Sequence, residues 1–258
     1  MEERIQKIIA SRGYCSRRQA EALIEKGVVF VNGEKATLGL KVDVDAKIVI
    51  DGKEVLATNS EDKKVYLALN KPLGVITTSS DDRNRKTITS LIDKKYGRVF
   101  PVGRLDINSS GLIFLTNDGD FANLVMHPSS SLGKTYAVTC KGSLTTLECK
   151  KLENGILLED GYTSKAEVTL VKSTDEVSKI YITIHEGRNR QVRNMLKAIN
   201  HDVISLKRVA IGNYKLKDSL KPGQYEEIDF KEVEKIKKLC RENKKNNNYD
   251  YNKERFRN

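Results

Sequence analysis

Ile5, Ile8 and Ile9 recur at the spacing that gathers apolar side chains on one face of a helix, and Ala20, Leu23 and Ile24 repeat the pattern. Two amphipathic helices are therefore predicted at the start of the chain. Ser16 can cap the second helix while Gln19, three residues on, reaches back to the Ser16 amide, and Gly27 supplies the stop. The runs Val28–Val31 and Lys47–Ile50 are each followed by a two-residue hairpin signal, Asn32-Gly33 and Asp51-Gly52. The expected product is a compact αα-then-β domain over residues 1–58. Residues 59–64 are polar and without periodicity, and read as a linker.

From residue 65 the pattern alternates. Apolar, β-rich segments at 65–69, 111–116, 135–139, 166–171, 180–185 and 203–206 are separated by helical periodicity near 121–127, 144–153 and 190–199. That is an α+β arrangement, expected over 65–230, although uneven strand spacing leaves the pairing order open. Beyond it Lys and Glu are dense and apolar residues sparse, so 231–258 is expected to hold a helix near 231–239 and then a disordered, basic tail.

With 38% apolar residues in 258, the chain can bury a core. Its longest apolar runs are strand-sized and its first residues lack a secretory pattern, so a cytoplasmic protein with no membrane segment is expected. Cys15, Cys140, Cys149 and Cys240 are scattered, and the histidines are His127, His185 and His201, so no metal centre is expected. The net charge of +11 is uneven: 10 Lys/Arg against 9 Asp/Glu in 1–58, 26 against 21 in 59–230, and 10 against 5 in 231–258. A modest basic excess alone says little about partners.

Candidate chemistry centres on Gly103-Arg104-Leu105-Asp106. Turn residues follow the aspartate and an apolar strand, 112–115, lies behind it, so its carboxylate is held out of regular structure. By itself this fits either a solvated turn aspartate or a nucleophile. Near the N-terminus, Arg18 lies opposite the apolar stripe of its helix, with Arg17 at the border and Arg12 and Lys7 nearby. This is either a phosphate-facing patch or a solvated face. On the helix at 190–199, Val192, Met195, Leu196 and Ile199 share one face while Arg190, Arg193 and Lys197 project from another.

These residues belong to a longer ordered set: Lys71-Pro72-Leu73-Gly74, Pro101 to Asp106, Met126-His127-Pro128, Lys134-Thr135-Tyr136, Glu186 to Arg193, and Leu206-Lys207-Arg208 with Ile211-Gly212. Together they resemble the RsuA/RluB family of ribosomal RNA pseudouridine synthases, and Ser16-Arg17-Arg18 with its surroundings is similar to the S4 RNA-binding domain. The resemblance implies an S4-like domain joined to a synthase domain with a central, largely antiparallel mixed sheet and a cleft across it. It implies isomerisation of uridine without cofactor or metal, with Asp106 as nucleophile and Arg193 as its partner. Tyr136 would stack on the base and serve proton transfer, and Leu206 would lie on the base's other side. Arg104 would fill the vacated stack or hold a flanking phosphate. Lys7, Arg12, Arg17, Arg18, Arg188, Arg190 and Lys197 are the expected RNA contacts. Asn194 stands where many relatives carry another arginine, which implies fewer phosphate contacts at that edge. The motif details are closer to large-subunit enzymes, so the expected partner is 23S rRNA, free or in an assembling subunit, and the expected state is a monomer. The alternatives are a synthase acting on 16S rRNA and a noncatalytic RNA-binding or ribosome-assembly factor, against which the joint presence of Asp106, Tyr136 and Arg193 argues.

Overall fold

The structure, a computed structural model, describes residues 1–56, 64–78 and 85–255, with side chains as far as 246. Of the expected linker, residues 59–63 lie outside the described residues. The chain forms two compact units: Met1–Val65 with Lys94–Arg98 and Asn117–Gly119, and Tyr66–Asp93 with Val99–Thr116 and Asp120–Asn258. No helix among the described residues is long and apolar enough to cross a membrane.

In the first unit the chain runs β1 (Glu2–Arg4), α1 (Ile5–Ser11), α2 (Arg17–Glu25), β2 (Val29–Val31), β3 (Glu34–Lys35), β4 (Lys41–Asp43), β5 (Ile48–Ile50) and β6 (Lys53–Val55). The expected apolar stripes meet: Ile5, Ile8, Ile9, Ala20 and Ile24 are buried against Val29, Val31, Ile48 and Ile50. The capping box at the head of α2 forms, with the Gln19 amide donating to Ser16 Oγ at 3.2 Å and the Ser16 amide donating to Gln19 Oε1 at 2.9 Å. Both hairpins form within an antiparallel sheet of order β3-β2-β5-β6. Their turn residues, Asn32 and Gly33 at φ +51° and +91° and Asp51 and Gly52 at +49° and +75°, are left-handed in pairs, as two-residue hairpin loops require. The separate β1–β4 pairing was not foreseen, because β1 is three residues long and largely exposed.

Along the rest of the chain come β7 (Tyr66–Lys71), β8 (Phe100–Val102), β9 (Ser110–Thr116), α3 (Gly119–Met126), β10 (Lys134–Lys141), α4 (Thr146–Asn154), β11 (Leu157–Leu158), β12 (Gly161–Tyr162), β13 (Glu167–Ser173), β14 (Val177–Ile184), α5 (Gln191–Lys197), β15 (Val203–Ile211), β16 (Tyr214–Lys215), β17 (Tyr225–Glu227) and α6 (Phe230–Arg255). The central sheet has the order β13-β14-β10-β15-β9-β7-β17, with β8 on β9 and β16 on β15. Every pairing in it is antiparallel except β15 with β9, which run parallel over two residue pairs, Lys207 with Ser110 and Arg208 with Gly111. The sheet is thus two antiparallel halves joined at a short seam.

Gly111 makes that seam. At φ +103° it holds a conformation side chains avoid, and a Cβ there would sit 2.2 Å from the Arg208 carbonyl oxygen. On one face of the sheet Phe114 lies between Phe121 and Tyr214, with ring centroids 6.3 and 5.4 Å away, inside a core that also holds Val125, Ile211 and Ile228.

The C-terminal segment differs from the expected basic helix and tail. Val233, Ile236 and Cys240 are fully buried in that same core, so the first part of α6 belongs to the second unit's body, and the helix continues to Arg255. Three apolar residues at helical spacing suffice to anchor it, even though Lys and Glu outnumber them; the charged residues pair along its surface, as Lys235 with Glu232 and Lys237 with Glu234 do.

Candidate active site

Asp106 lies in the loop from β8 to β9, just ahead of the first residues of β9 that form the seam between the two halves. Leu105 is buried and anchors the bend. Five consecutive carbonyls of this loop are each held by a different donor. Thr77 Oγ1 donates to Leu105 O at 2.7 Å, the Ser109 amide to Asp106 O at 3.0 Å, and the Gly74 amide to Ile107 O at 2.9 Å. Arg193 Nη2 donates to Asn108 O at 2.7 Å and Lys71 Nζ to Ser109 O at 2.8 Å. A backbone tied down at every residue fixes the direction in which the Asp106 side chain leaves it.

The carboxylate itself is about one-third exposed and faces Arg190, whose Nη1 stands 4.0 Å from Asp106 Oδ2. Arg193, the expected partner, makes no direct bond to the carboxylate in this structure. Arg193 serves backbone, the loop through Asn108 O and the start of β15 through Val203 O, while its buried Nε makes no hydrogen bond. It remains within electrostatic reach of Asp106. Burial lowers the Arg193 pKa, the neighbouring Arg190 charge adds to that, and Asp106 opposes both. Arg190 reaches the carboxylate because it is itself left-handed, at φ +50°, where α5 begins.

A single row crosses four strands behind this loop: Tyr136 in β10 opposes Arg208 in β15, Arg208 opposes Gly111 in β9, and Gly111 opposes Lys71 in β7. Leu206, two residues before Arg208 and paired with Val138, lies on the same face as Arg208. Tyr136 and Leu206 are both buried, at 8% and 6% exposure. Arg208 donates through Nε to Leu112 O at 2.7 Å, and its buried Nη2 has no partner.

Lys71 and Arg208 were quoted in the sequence motifs without a role, and their importance comes from burial that no local pattern reveals. Lys71 is fully buried, donating to Ser109 O and Pro72 O. Burial pushes its ammonium down to about 8, with the Asp106 charge opposing the shift and Arg208 adding to it. A lysine depressed in the fold holds fewer protons there than in the unfolded chain between about pH 8 and its ordinary value, so its contribution to stability rises with pH across that window. Replacing Lys71 by methionine should leave two carbonyls without donors and cost about 2–4 kcal/mol. Denaturant titrations at pH 7 and pH 10 should show the variant falling further behind the wild type at the higher pH.

The expected RNA contacts divide. Arg17, Arg18, Arg104 and Lys197 are exposed. Lys7 is ion-paired to Glu3 at 2.6 Å. Arg12 is occupied otherwise: its Nη groups donate to Val55 O, Val44 O and Ala46 O at 2.7–2.9 Å, holding the end of α1 to the sheet. Arg188 is likewise taken up, bonding to Glu186, Asp160, Gly161 O and Tyr162 O. In sequence, a guanidinium that binds its own backbone looks the same as one facing solvent, which is why both were expected to meet RNA.

A rigidly mounted, partly exposed carboxylate among Lys71, Arg190, Arg193 and Arg208 can act as a nucleophile within a setting attractive to phosphates. Comparison with known proteins agrees in kind. Residues 65–198 match the family described as RNA pseudouridylate synthase, and residues 3–48 match the S4 domain. A ribosomal large subunit pseudouridine synthase B of Bacillus subtilis (strain 168) is 44% identical over 241 residues, covering 92% of this chain and 97% of that protein. A protein of the same name from Vibrio cholerae is 37% identical over 93% of this chain and 75% of its own length. A crystal structure of a pseudouridylate synthase, 30% identical, superposes with a TM-score of 0.66 over 90% of this chain and 99% of that one. The chain is a member of the RNA pseudouridine synthase family, an isomerase that carries an S4 domain ahead of its synthase domain.

Proposed function

We propose that this enzyme converts a uridine of 23S ribosomal RNA to pseudouridine in the cytoplasm, with Asp106 as the nucleophile. The observation that carries the reading is the Asp106 loop, held at five successive carbonyls and aiming one carboxylate at Arg190. The large-subunit assignment is supported by the names of the Bacillus and Vibrio relatives.

The reaction breaks the bond between uracil N1 and ribose C1′, rotates the base, and joins C5 to C1′. C5 loses its proton and N1 gains one, so substrate and product have the same composition and no electrons leave the site. Asp106 holds the uridine covalently while the base turns. Arg190 and Arg193 place positive charge beside its carboxylate when a nucleobase displaces water. Tyr136 packs against the base and serves the proton transfer, and Leu206 closes the apolar side. Turning the uridine out of folded RNA costs roughly a few kcal/mol. Arg104, exposed two residues before the nucleophile, offsets part of that by holding the emptied position. Arg17 and Arg18 of the S4 domain contribute phosphate contacts.

Arg193→Lys keeps the positive charge but cannot reach Asn108 O in the same geometry. Its single-turnover rate should fall about 100-fold with RNA affinity little changed, read by rapid-quench assay. The function is tested with transcripts of 23S and 16S rRNA tritiated at uridine C5. Release of stoichiometric tritium from the 23S transcript alone is the expected result. Release from 16S alone would overturn the subunit assignment, and release from neither would overturn ribosomal RNA as the substrate.

A further inference from the structure

Away from the Asp106 loop, a groove of about 510 Å³ opens between α4 and the β11–β12 hairpin. Three large apolar side chains line it in exposed positions: Leu147 at 66%, Leu157 at 58% and Tyr162 at 69%. Leu157 and Tyr162 are cross-strand partners in the hairpin and so share one face. Lys150 and Lys151 also line the groove, and no carboxylate does. Two charges and an open aromatic ring, with no core to join, match the chemistry of single-stranded nucleic acid: stacking on the ring, and cations for the phosphates.

The hairpin is not loose. Ile156 and Thr163 close it with two hydrogen bonds, Thr163 N to Ile156 O at 2.9 Å and Ile156 N to Thr163 Oγ1 at 3.0 Å. Arg188 then grips its far end through Asp160 Oδ1, Gly161 O and Tyr162 O. The backbone that carries Tyr162 is therefore held in place before any ligand arrives, which lowers the entropy lost on binding. Arg188 sits two residues from Arg190, so the groove is tied by one short run of backbone to the guanidinium that faces Asp106.

We propose that this groove is a second RNA-contact site of the synthase domain, which takes single-stranded RNA flanking the target uridine by stacking a base on Tyr162 while Lys150 and Lys151 meet its phosphates. The assignment deepens the reading of the chain as a ribosomal RNA synthase and rests on it for the identity of the natural strand. In this scheme Arg188 serves RNA indirectly, by positioning Tyr162.

The test uses the full chain and two probes. The first is a fluorescent single-stranded oligouridylate of about 12 nucleotides, a length of the order of one single-strand binding site. Tyr162→Ala should weaken its Kd about tenfold, as loss of one stacked base does, whereas Tyr162→Phe should bind like the wild type. Lys150→Gln with Lys151→Gln should reduce the slope of log Kd against log salt by about 1.4. The second probe is the tritiated 23S transcript, for which Tyr162→Ala should raise KM and leave kcat unchanged. Tyr162 is exposed, so thermal melting of each variant should match the wild type. Oligouridylate binding by Tyr162→Ala as tight as wild type would overturn the proposal, and so would equal losses in the Phe and Ala variants. The oligouridylate result stands even if the 23S transcript proves not to be the substrate, so the two failures are separable.

Discussion

Asp106→Asn should lower the rate of pseudouridine formation by on the order of 10⁴-fold or more while leaving the protein folded. Asparagine has the same shape as aspartate, and the contacts that position the loop use main-chain carbonyls, which the substitution does not touch. The change removes the anionic oxygen that the proposed mechanism has bonding to the uridine. The ion pair with Arg190 is long and partly solvated, so its loss should cost less than about 1 kcal/mol. Single-turnover tritium release and thermal melting, measured on the same preparation, separate the two effects. An unaltered melting temperature with background release is the expected pair of results. Activity within tenfold of the wild type would remove Asp106 from the chemistry.

Gly111→Ala is the largest expected effect on stability. The methyl group would meet the Arg208 carbonyl oxygen at 2.2 Å and its amide nitrogen at 2.7 Å, and backbone atoms cannot swing aside as the end of a lysine can. The residue would in addition be held at φ +103°. Strain and overpacking together should destabilise the second unit by about 4 kcal/mol or more, lowering its melting transition by about 10 °C or more. Calorimetry measures this directly, and a variant melting like the wild type would show that the seam yields more easily than its geometry implies. Activity should be lost as well, because the strand that parts from Gly111 is the one carrying Arg208.

Local features of this molecule were legible in its sequence. The capping box at Ser16 and Gln19, the hairpins at Asn32-Gly33 and Asp51-Gly52, and the helical stripes of Ile5, Ile8 and Ile9 each depend on residues a few positions apart. The turn and supporting strand of Asp106 are contiguous too, yet by themselves they fit a solvated aspartate as well as a nucleophile, and it was the ordered set of family motifs that singled it out. The partners of Asp106 were not legible. That Arg190 faces the carboxylate depends on one left-handed residue, and that Arg193 turns to Asn108 O depends on where α5 lies against a loop 85 positions earlier. Burial of Lys71 and Arg208 follows from strand order, which uneven spacing concealed. Charge patterning misled most at Arg12 and Arg188, where the acceptors are main-chain oxygens that every sequence possesses.

The parallel pairing of β9 with β15 has a consequence for how the enzyme comes into being. Ser110 meets Lys207 only after β10, β13, β14 and α5 have been made, so this contact closes a long loop and should be among the last to form. A chain still emerging during translation would already display Asp106, yet would lack the residues from α5 and β15 that surround it. Competence to modify RNA should therefore arise at maturation, as a signature that synthesis of the domain is finished.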